Sequence, residues 1–463
     1  MEGIKRRDFL KYGLSGMAAV VVGTKMPWLM ENEAYAAIHT QTLNIHITDA
    51  LKDMVTHNAI NAAQCYFWIY KEDNFPAECP GPNIFTTQGD VVRLNITNDL
   101  DEPHSIYIPG MFDSGPIPPG HVKVTKFFTA TKSGSFLYYD NLNAPVNRMM
   151  GLHGAFIVMP RAAAAGHKFT PYDKPTPMIQ KLFDDLGPTA HWPGLSWEQG
   201  DVATNTPAFR QHIWVTHEAS PILFAEVGNA APGAGARIPA NFLNAINNDP
   251  YADTFNTGVF NRKAHFFMIN GQSGHFSHNN PFICPNHRVG EPCIIRVLGA
   301  GLSTHSMHIH ANHVYVLSLD NQLSNDLWWV DTMTNRPLNG FDWLVPYMRP
   351  PDVPNIRGIG RPDTPLTTLA LGTTWPPFEE LNTFIPPVGT KAGAIEISVQ
   401  LSPLCYPMHS HTEASQTSQG GNYNCGLISG INFTGDRNTP GGVTTFPNFP
   451  IIQGPDKTGP AAG

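Results

Sequence analysis

Charge is scarce in this 463-residue chain. Asp, Glu, Lys and Arg make up 14% of it, against roughly 25% in an average soluble protein. Basic residues are outnumbered 29 to 37, for a formal net charge of −8, which speaks against a nucleic-acid partner. No stretch reaches the ~20 apolar residues of a membrane-spanning helix, so no membrane span is expected. Long amphipathic helices are missing too. With 41 Gly and 42 Pro, both poor in helix interiors, a helical bundle or coiled coil is excluded. The hydrophobic share of 41% and the 26 Phe exclude a disordered chain. By length alone, about two to four domains are expected.

The N-terminus reads as an export signal over 1–36. Lys5-Arg6-Arg7-Asp8-Phe9-Leu10-Lys11 pairs two arginines with apolar residues, as a twin-arginine signal does. Gly13 to Gly23 is weakly apolar, and Ala34-Tyr35-Ala36 has the small-x-small pattern of a cleavage site. Removing 1–36 leaves 24 basic against 33 acidic residues, a net charge of −9. The expected compartment is periplasmic or extracellular. Cysteine is sparse: Cys65, Cys79, Cys284, Cys293, Cys405 and Cys425. An even number in an oxidising compartment predicts disulfides, and nearest-neighbour pairing gives 65–79, 284–293 and 405–425.

Short alternating apolar runs fill the rest, such as Leu43-Asn44-Ile45-His46-Ile47 and Ala394-Ile395-Glu396-Ile397-Ser398-Val399. Turn residues such as Pro80-Gly81-Pro82 and Pro118-Pro119-Gly120 separate them. Period-two runs with frequent turns predict an all-β protein of sandwich or barrel type. One ordered series of strands and turns runs from about 40 to 160 and recurs from about 210 to 435. Duplicated sandwich domains are therefore expected at 37–160 and 206–435. Residues 161–205 read as a connector, and 436–463 as a Pro/Gly/Thr-rich tail.

Two histidine clusters stand out among 20 His: His305-Ser306-Met307-His308-Ile309-His310-Ala311-Asn312-His313 and Met408-His409-Ser410-His411. Alternate side chains of a strand share a face. His308 and His310 thus project together, as do His409 and His411, and two such pairs on adjacent strands can converge on a metal. Neutral imidazole suits copper, zinc or iron. The alternation sends Met307 and Met408 to the opposite, core-packed face. His39, His46, His57, His167, His191, His265, His275, His278 and His287 lack such a pattern and read as surface or structural residues.

These residues complete a resemblance to the multicopper oxidases, which are built from cupredoxin domains. Cys79-Pro80-Gly81-Pro82-Asn83-Ile84 with Gly89-Asp90-Val91-Val92 is similar to the opening of that family's first domain. Pro103-His104-Ser105-Ile106 and Gly151-Leu152-His153-Gly154 to Val158 resemble later stations of it. His305 to His310 resembles the family's HPxHxH run, and His409-Ser410-His411 its HCH run. The resemblance implies two cupredoxin-like Greek-key β-sandwich domains. The two-domain length, like that of small laccases and copper nitrite reductases, implies a homotrimer.

The departures are specific. The cysteine that holds the family's type 1 copper is replaced by Ser410. The first histidine of that site survives as His305, and the second falls on Ser415. A blue site needs a soft thiolate, so none is expected here. The trinuclear ligands of the second domain are all present as His308, His310, His409 and His411. Those of the first domain fall on Tyr107 and Pro109, and on Tyr139-Asp140-Asn141. His104 stands where some relatives place a type 1 ligand, with Asp140 at the position of its cysteine partner. In the family pattern His310 and His409 share one copper, and His308 and His411 serve the other two. The expectation is at most one well-held ion, copper with zinc as the alternative, on His308, His310, His409 and His411. His305 and His313 are candidate extra ligands. Glu413, Tyr107 and Tyr139 are candidate partners around the site, the tyrosines across a subunit boundary. Three functions follow: an exported copper oxidoreductase without type 1 copper, a copper-binding protein without catalysis, or a structural or self-assembling protein on a cupredoxin scaffold. The sequence names no substrate or redox partner.

Overall fold

The structure, a computed structural model, describes residues 38–55, 62–73, 75–167, 169–185, 211–250, 260–287, 292–310, 312–346, 404–418 and 425–433. The export signal, residues 186–205 of the connector and the 436–463 tail lie outside the described residues.

The first half supplies β1 (Thr40–Val55), β2 (Ala62–Glu72), β3 (Ile84–Thr87), β4 (Val91–Asn98), β5 (Tyr107–Ile108), β6 (Phe112–Asp113), β7 (Lys123–Thr129), β8 (Gly134–Tyr139) and β9 (His153–Met159). The second supplies β10 (Gln211–Ala219), β11 (Phe266–Ile269), β12 (Asn286–His287), β13 (Cys293–Gly299), β14 (His305–Ile309), β15 (Val314–Leu319), β16 (Gln322–Val330), β17 (Thr332–Asn335), β18 (Gly340–Val345), β19 (Leu404–Ser410) and β20 (Ile428–Phe433). They form four sheets, ordered β2-β1-β4-β7 and β3-β9-β8-β5-β6, then β11-β10-β13-β18-β15-β16 and β12-β20-β19-β14-β17. The all-β expectation holds.

The pairing repeats between halves. β1 runs parallel to β4, as β10 does to β13. β3 runs parallel to β9, as β12 does to β20. β5 lies antiparallel to β8, as β14 does to β19. Period-two burial explains why these runs pair face to face. Leu43, Ile45 and Ile47 of β1 are buried in the first core, and Ile295 and Val297 of β13 in the second.

Among the described residues the α-helices are α1 (Val146–Met149), α2 (Pro177–Asp185), α3 (Pro221–Asn229), α4 (Pro239–Asn248), α5 (Gly274–His278) and α6 (Glu413–Gln416). Ser220 starts α3 by accepting from the Leu223 amide at 3.2 Å, and Pro221 follows it in the first turn. Leu223, Phe224 and Val227 of α3, with Phe242 and Ile246 of α4, join the core of the first sandwich. No helix among the described residues is long and apolar enough to cross a membrane.

A buried polar network joins the sandwiches. The Arg296 guanidinium donates to Ser135 Oγ at 2.8 Å and lies 3.4 Å from the Asp342 carboxylate, which also accepts from Ser135 Oγ and from Tyr172 Oη. Arg148 donates to the Gly301 and Ala300 carbonyls, and His217 Nε2 to the Met149 carbonyl at 2.9 Å. Buried charge is tolerable here because the Arg296 and Arg148 guanidiniums and the Asp342 carboxylate are each hydrogen-bonded.

Candidate metal centre

β14 and β19 run antiparallel with His308 opposite His409 and Ile309 opposite Met408. Along β14, His305, Met307 and Ile309 are buried, while His308 is half-buried on the outer face. Along β19, Met408 and Ser410 are buried and His409 is half-buried. Met307 and Met408 thus join the core, as their alternation predicts. His310 and His411, each one residue past its strand, complete the outer face. Ring centroids are 4.7 Å apart for His308–His411, 4.9 Å for His308–His310 and His409–His411, 5.0 Å for His310–His409 and 5.8 Å for His308–His409.

The closest approach, 2.9 Å, is between His310 Nε2 and His409 Nε2. His409 Nδ1 donates to the Ser410 carbonyl at 3.0 Å, leaving its Nε2 as the lone pair. His308 Nδ1 lies 2.9 Å from Thr332 Oγ1 and 3.1 Å from the Asp331 carbonyl. This fixes the ring and frees its Nε2, as outer partners of metal-binding imidazoles do. Burial, then the neighbouring imidazoles His409, His308 and His411, hold His310 below the ordinary histidine range. Burial is the leading cause for His409 as well. Both are therefore neutral near pH 7, the ligand form. Two Nε2 atoms at this separation meet around a proton or around a cation. Metal–nitrogen bonds of about 2.0–2.1 Å fit the pair to one shared ion at roughly a right angle. The donor set suits copper, and zinc as well.

Behind the quartet lies Ser410, where the resemblance puts a cysteine. Ser415 Oγ donates to Ser410 Oγ at 2.9 Å. His305 is buried on that side, with neither ring nitrogen hydrogen-bonded among the described residues.

Residues 74–163 match the family described as multicopper oxidase. Laccase-6 of Oryza sativa subsp. japonica is 25% identical over 144 residues, which cover 28% of this chain and 24% of that protein. The match thus spans about a quarter of the length of that curated relative. The blue copper oxidase of Nitrosomonas europaea aligns with 85% of this chain and 86% of its own, at 16% identity and a TM-score of 0.50. The multicopper oxidase mgLAC aligns with 89% and 92% of the two chains, at 17% identity and a TM-score of 0.49. The likeness to multicopper oxidases in sequence is thus carried by residues 74–163, and the fold is of the cupredoxin type.

Other expectations for the site need correction. His305 lies three residues from His308, so strand alternation turns it to the opposite, buried face, away from the quartet. The His313 ring stacks on Trp329, 5.5 Å away at 14°. Glu413 does not orient an imidazole. It begins α6 and accepts from Thr417 Oγ1 at 2.7 Å, and the orienting role falls to Asp331 and Thr332. Tyr107 and Tyr139 pair with each other, edge to face at 5.4 Å. Tyr139 packs beside Ile213, Val215, Leu298 and Ala300, on the side of the second sandwich away from the quartet. Asp140 is fully buried and bound to His104 Nδ1 at 2.7 Å, so it faces no metal site.

The expected disulfides are not formed among the described cysteines. Cys65, Cys79, Cys284, Cys293 and Cys425 are buried thiols, and the side chain of Cys405 lies outside the described residues. Sequence proximity is a poor guide because strand pairing sends two of these sulfurs toward imidazoles. Cys79 lies with His153 and His217, and Cys293 with His212 and His287. In each group one ligand atom per residue lies within 4.8 Å of the others. His212 Nε2 and His287 Nε2 are 3.1 Å apart, so His287 is part of a cluster that no sequence pattern shows. Only a spacing shared by Cys79 and His153 with a third, distant residue could have revealed the first group.

Proposed function

We propose that this is an exported copper protein, an oxidoreductase by descent, working from a reduced copper site on His308, His310, His409 and His411 without type 1 copper. The observation carrying this reading is the 2.9 Å approach of His310 Nε2 and His409 Nε2 on an outward-facing strand pair. Copper held there supplies one-electron chemistry. The chain does the rest: Thr332 and the Asp331 carbonyl orient His308, the Ser410 carbonyl orients His409, and burial keeps His310 and His409 neutral. The hydroxyl pair Ser410–Ser415 stands where electron entry would need a thiolate. That pair also favours a second reading, copper binding without turnover. The homotrimer belongs to the same proposal. Within one chain Tyr107 and Tyr139 lie on the far side of the second sandwich, so only a second copy could bring them to the quartet.

The test is metal analysis and copper EPR on protein purified without added metal, alongside His310→Ala, His409→Ala and the double variant. The expected result is an EPR-active copper ion lost in all three. Unchanged copper content and spectrum in the double variant would overturn the reading, and zinc alone in the wild type would replace copper with the alternative ion. Turnover of small reductants with oxygen separates the oxidoreductase from the binding protein. Export is checked by Arg6→Lys with Arg7→Lys, which should hold the protein in the cytoplasm.

A further inference from the structure

The side chains of Cys79, His153 and His217 meet deep in the chain, far from the quartet. Cys79 lies in the loop before β3, His153 opens β9, and His217 sits near the end of β10, so a loop and two strands from both sandwiches build the cluster. All three residues are buried, with exposures of 3%, 0% and 1%. One ligand atom from each lies within 4.8 Å of the other two, and the imidazole centroids are 4.4 Å apart.

The hydrogen bonds decide what these rings can do. His153 Nδ1 donates to the Arg148 carbonyl at 3.0 Å, and His217 Nε2 donates to the Met149 carbonyl at 2.9 Å. Each ring therefore has its proton committed to the backbone and its other nitrogen left as a lone pair. Those nitrogens, His153 Nε2 and His217 Nδ1, are buried without a hydrogen-bond partner. A backbone-anchored imidazole with its second nitrogen open is the usual state of a metal ligand. Unsatisfied buried polar atoms are rare and call for an explanation. Two of them beside a thiol share one.

Glycine makes the room. A Cβ on Gly151, which has φ +117°, would come within 3.1 Å of Cys79 Sγ and 2.6 Å of the Trp68 carbonyl. A Cβ on Gly271, at φ +73°, would collide with the Cys79 carbonyl. Both positions keep the backbone close around the sulfur.

We propose that Cys79 Sγ, His153 Nε2 and His217 Nδ1 form a buried mononuclear copper(I) site, separate from the quartet. Charge selects the ion. One thiolate and two neutral imidazoles carry −1, so copper(I) leaves the buried set neutral, whereas copper(II) or zinc leaves it at +1. Coordination agrees, because structural zinc takes four ligands and this set offers three. Softness agrees as well, because thiolate selects copper(I). On loading, the Cys79 S–H bond breaks, a Cu–S bond forms and the proton leaves to solvent. The copper enters and remains as copper(I), so no electron is transferred.

The site is tested in the His310→Ala/His409→Ala double variant, which removes the quartet pair, by loading copper(I) anaerobically and counting copper per chain after gel filtration. One ion per chain is expected, with one sulfur neighbour by copper X-ray absorption. Adding Cys79→Ser should reduce retained copper at least tenfold, as should His217→Gln. Copper retained without a sulfur neighbour, or unchanged retention in the Cys79→Ser protein, overturns the site. Selective retention of zinc over copper(I) overturns the choice of ion. X-ray absorption on the otherwise native protein guards against a misfolded variant, since a sulfur neighbour to copper is expected there too. Because the quartet is absent from the main experiment, its own failure leaves this result unaffected.

Discussion

The strand pair β5/β8 of the first sandwich and the pair β14/β19 of the second occupy the same place in their sheets, yet carry different chemistry. Tyr107 lies opposite Tyr139 in one, and His308 opposite His409 in the other. The ring arrangements are alike, edge to face with centroids 5.4 Å and 5.8 Å apart. The cross-strand geometry thus survives whether the rings are phenols or imidazoles, because a non-polar aromatic contact satisfies the pairing as well as a ligand set does. The positions behind them diverge in the opposite sense. In the first sandwich His104 is held by Asp140 at 2.7 Å, and that carboxylate also accepts from Ser105, Asn147 and the Leu142 amide. In the second, His305 is buried without a hydrogen bond among the described residues, its ring edge to face with Phe267. One half holds its buried imidazole on a carboxylate; the other carries four outward imidazoles in front of a buried pair of hydroxyls.

The largest effect is expected where the halves join. Arg296→Met leaves the fully buried Asp342 carboxylate without its cation. It should cost about 3–5 kcal/mol and split one calorimetric transition into two. A single transition at unchanged temperature would show that the halves are not coupled through this network.

His104→Ala and His305→Leu sharpen the comparison directly. The first strands Asp140 in the core and should cost about 3 kcal/mol. The second removes unpaired polar atoms from an apolar setting and should be neutral or stabilising, by about 1 kcal/mol. Urea unfolding of both variants checks it, and equal losses would erase the distinction drawn between the two sandwiches.

Burial pushes His265 and His305 down to about 4 from an ordinary 6.5. At these two residues the folded state therefore binds fewer protons than the unfolded chain between those values, and their share of the stability falls as pH drops from 6.5 toward 4, then levels. Each histidine contributes about 1.4 kcal/mol per pH unit in that window. In metal-free protein, His305→Leu should remove one share of this slope. A slope unchanged by that substitution would assign the acid sensitivity elsewhere.

The smallest change in stability, and the most specific in readout, is expected from Ser410→Cys with Ser415→His. Together with His305 these substitutions restore one thiolate and two imidazoles, the ligand set of a blue copper site. An intense thiolate-to-copper absorption near ~600 nm should follow copper addition, at a stability change of about 1 kcal/mol. No new band relative to the parent protein would mean that the pocket has closed beyond rescue.

Much of the fold was legible in sequence because the signals are local. Alternation along Leu43 to Ile47 sets which side chains meet the core, and the same rule places His308 with His310 and Met307 on the other side. It also could have shown that His305 cannot join the quartet, since an odd spacing of three reverses the face. What stayed hidden was non-local. Asp331 and Thr332 reach His308 only because β17 pairs with β14. Glu413, close in sequence, is turned away by its place at the start of a helix.

Sequence by itself determined the all-β architecture, its duplication and the outward-facing histidines, since period-two patterning is written residue by residue. It also put a serine at 410, whose hydroxyl cannot act as a cysteine sulfur whatever the fold. Only the tertiary structure decided which sulfurs meet which imidazoles. Cys79, His153 and His217 lie 138 positions apart from first to last, and no local pattern links them. They meet because parallel strand pairing and the packing of one sandwich on the other bring distant backbone into contact, and burial there leaves two imidazole lone pairs without water.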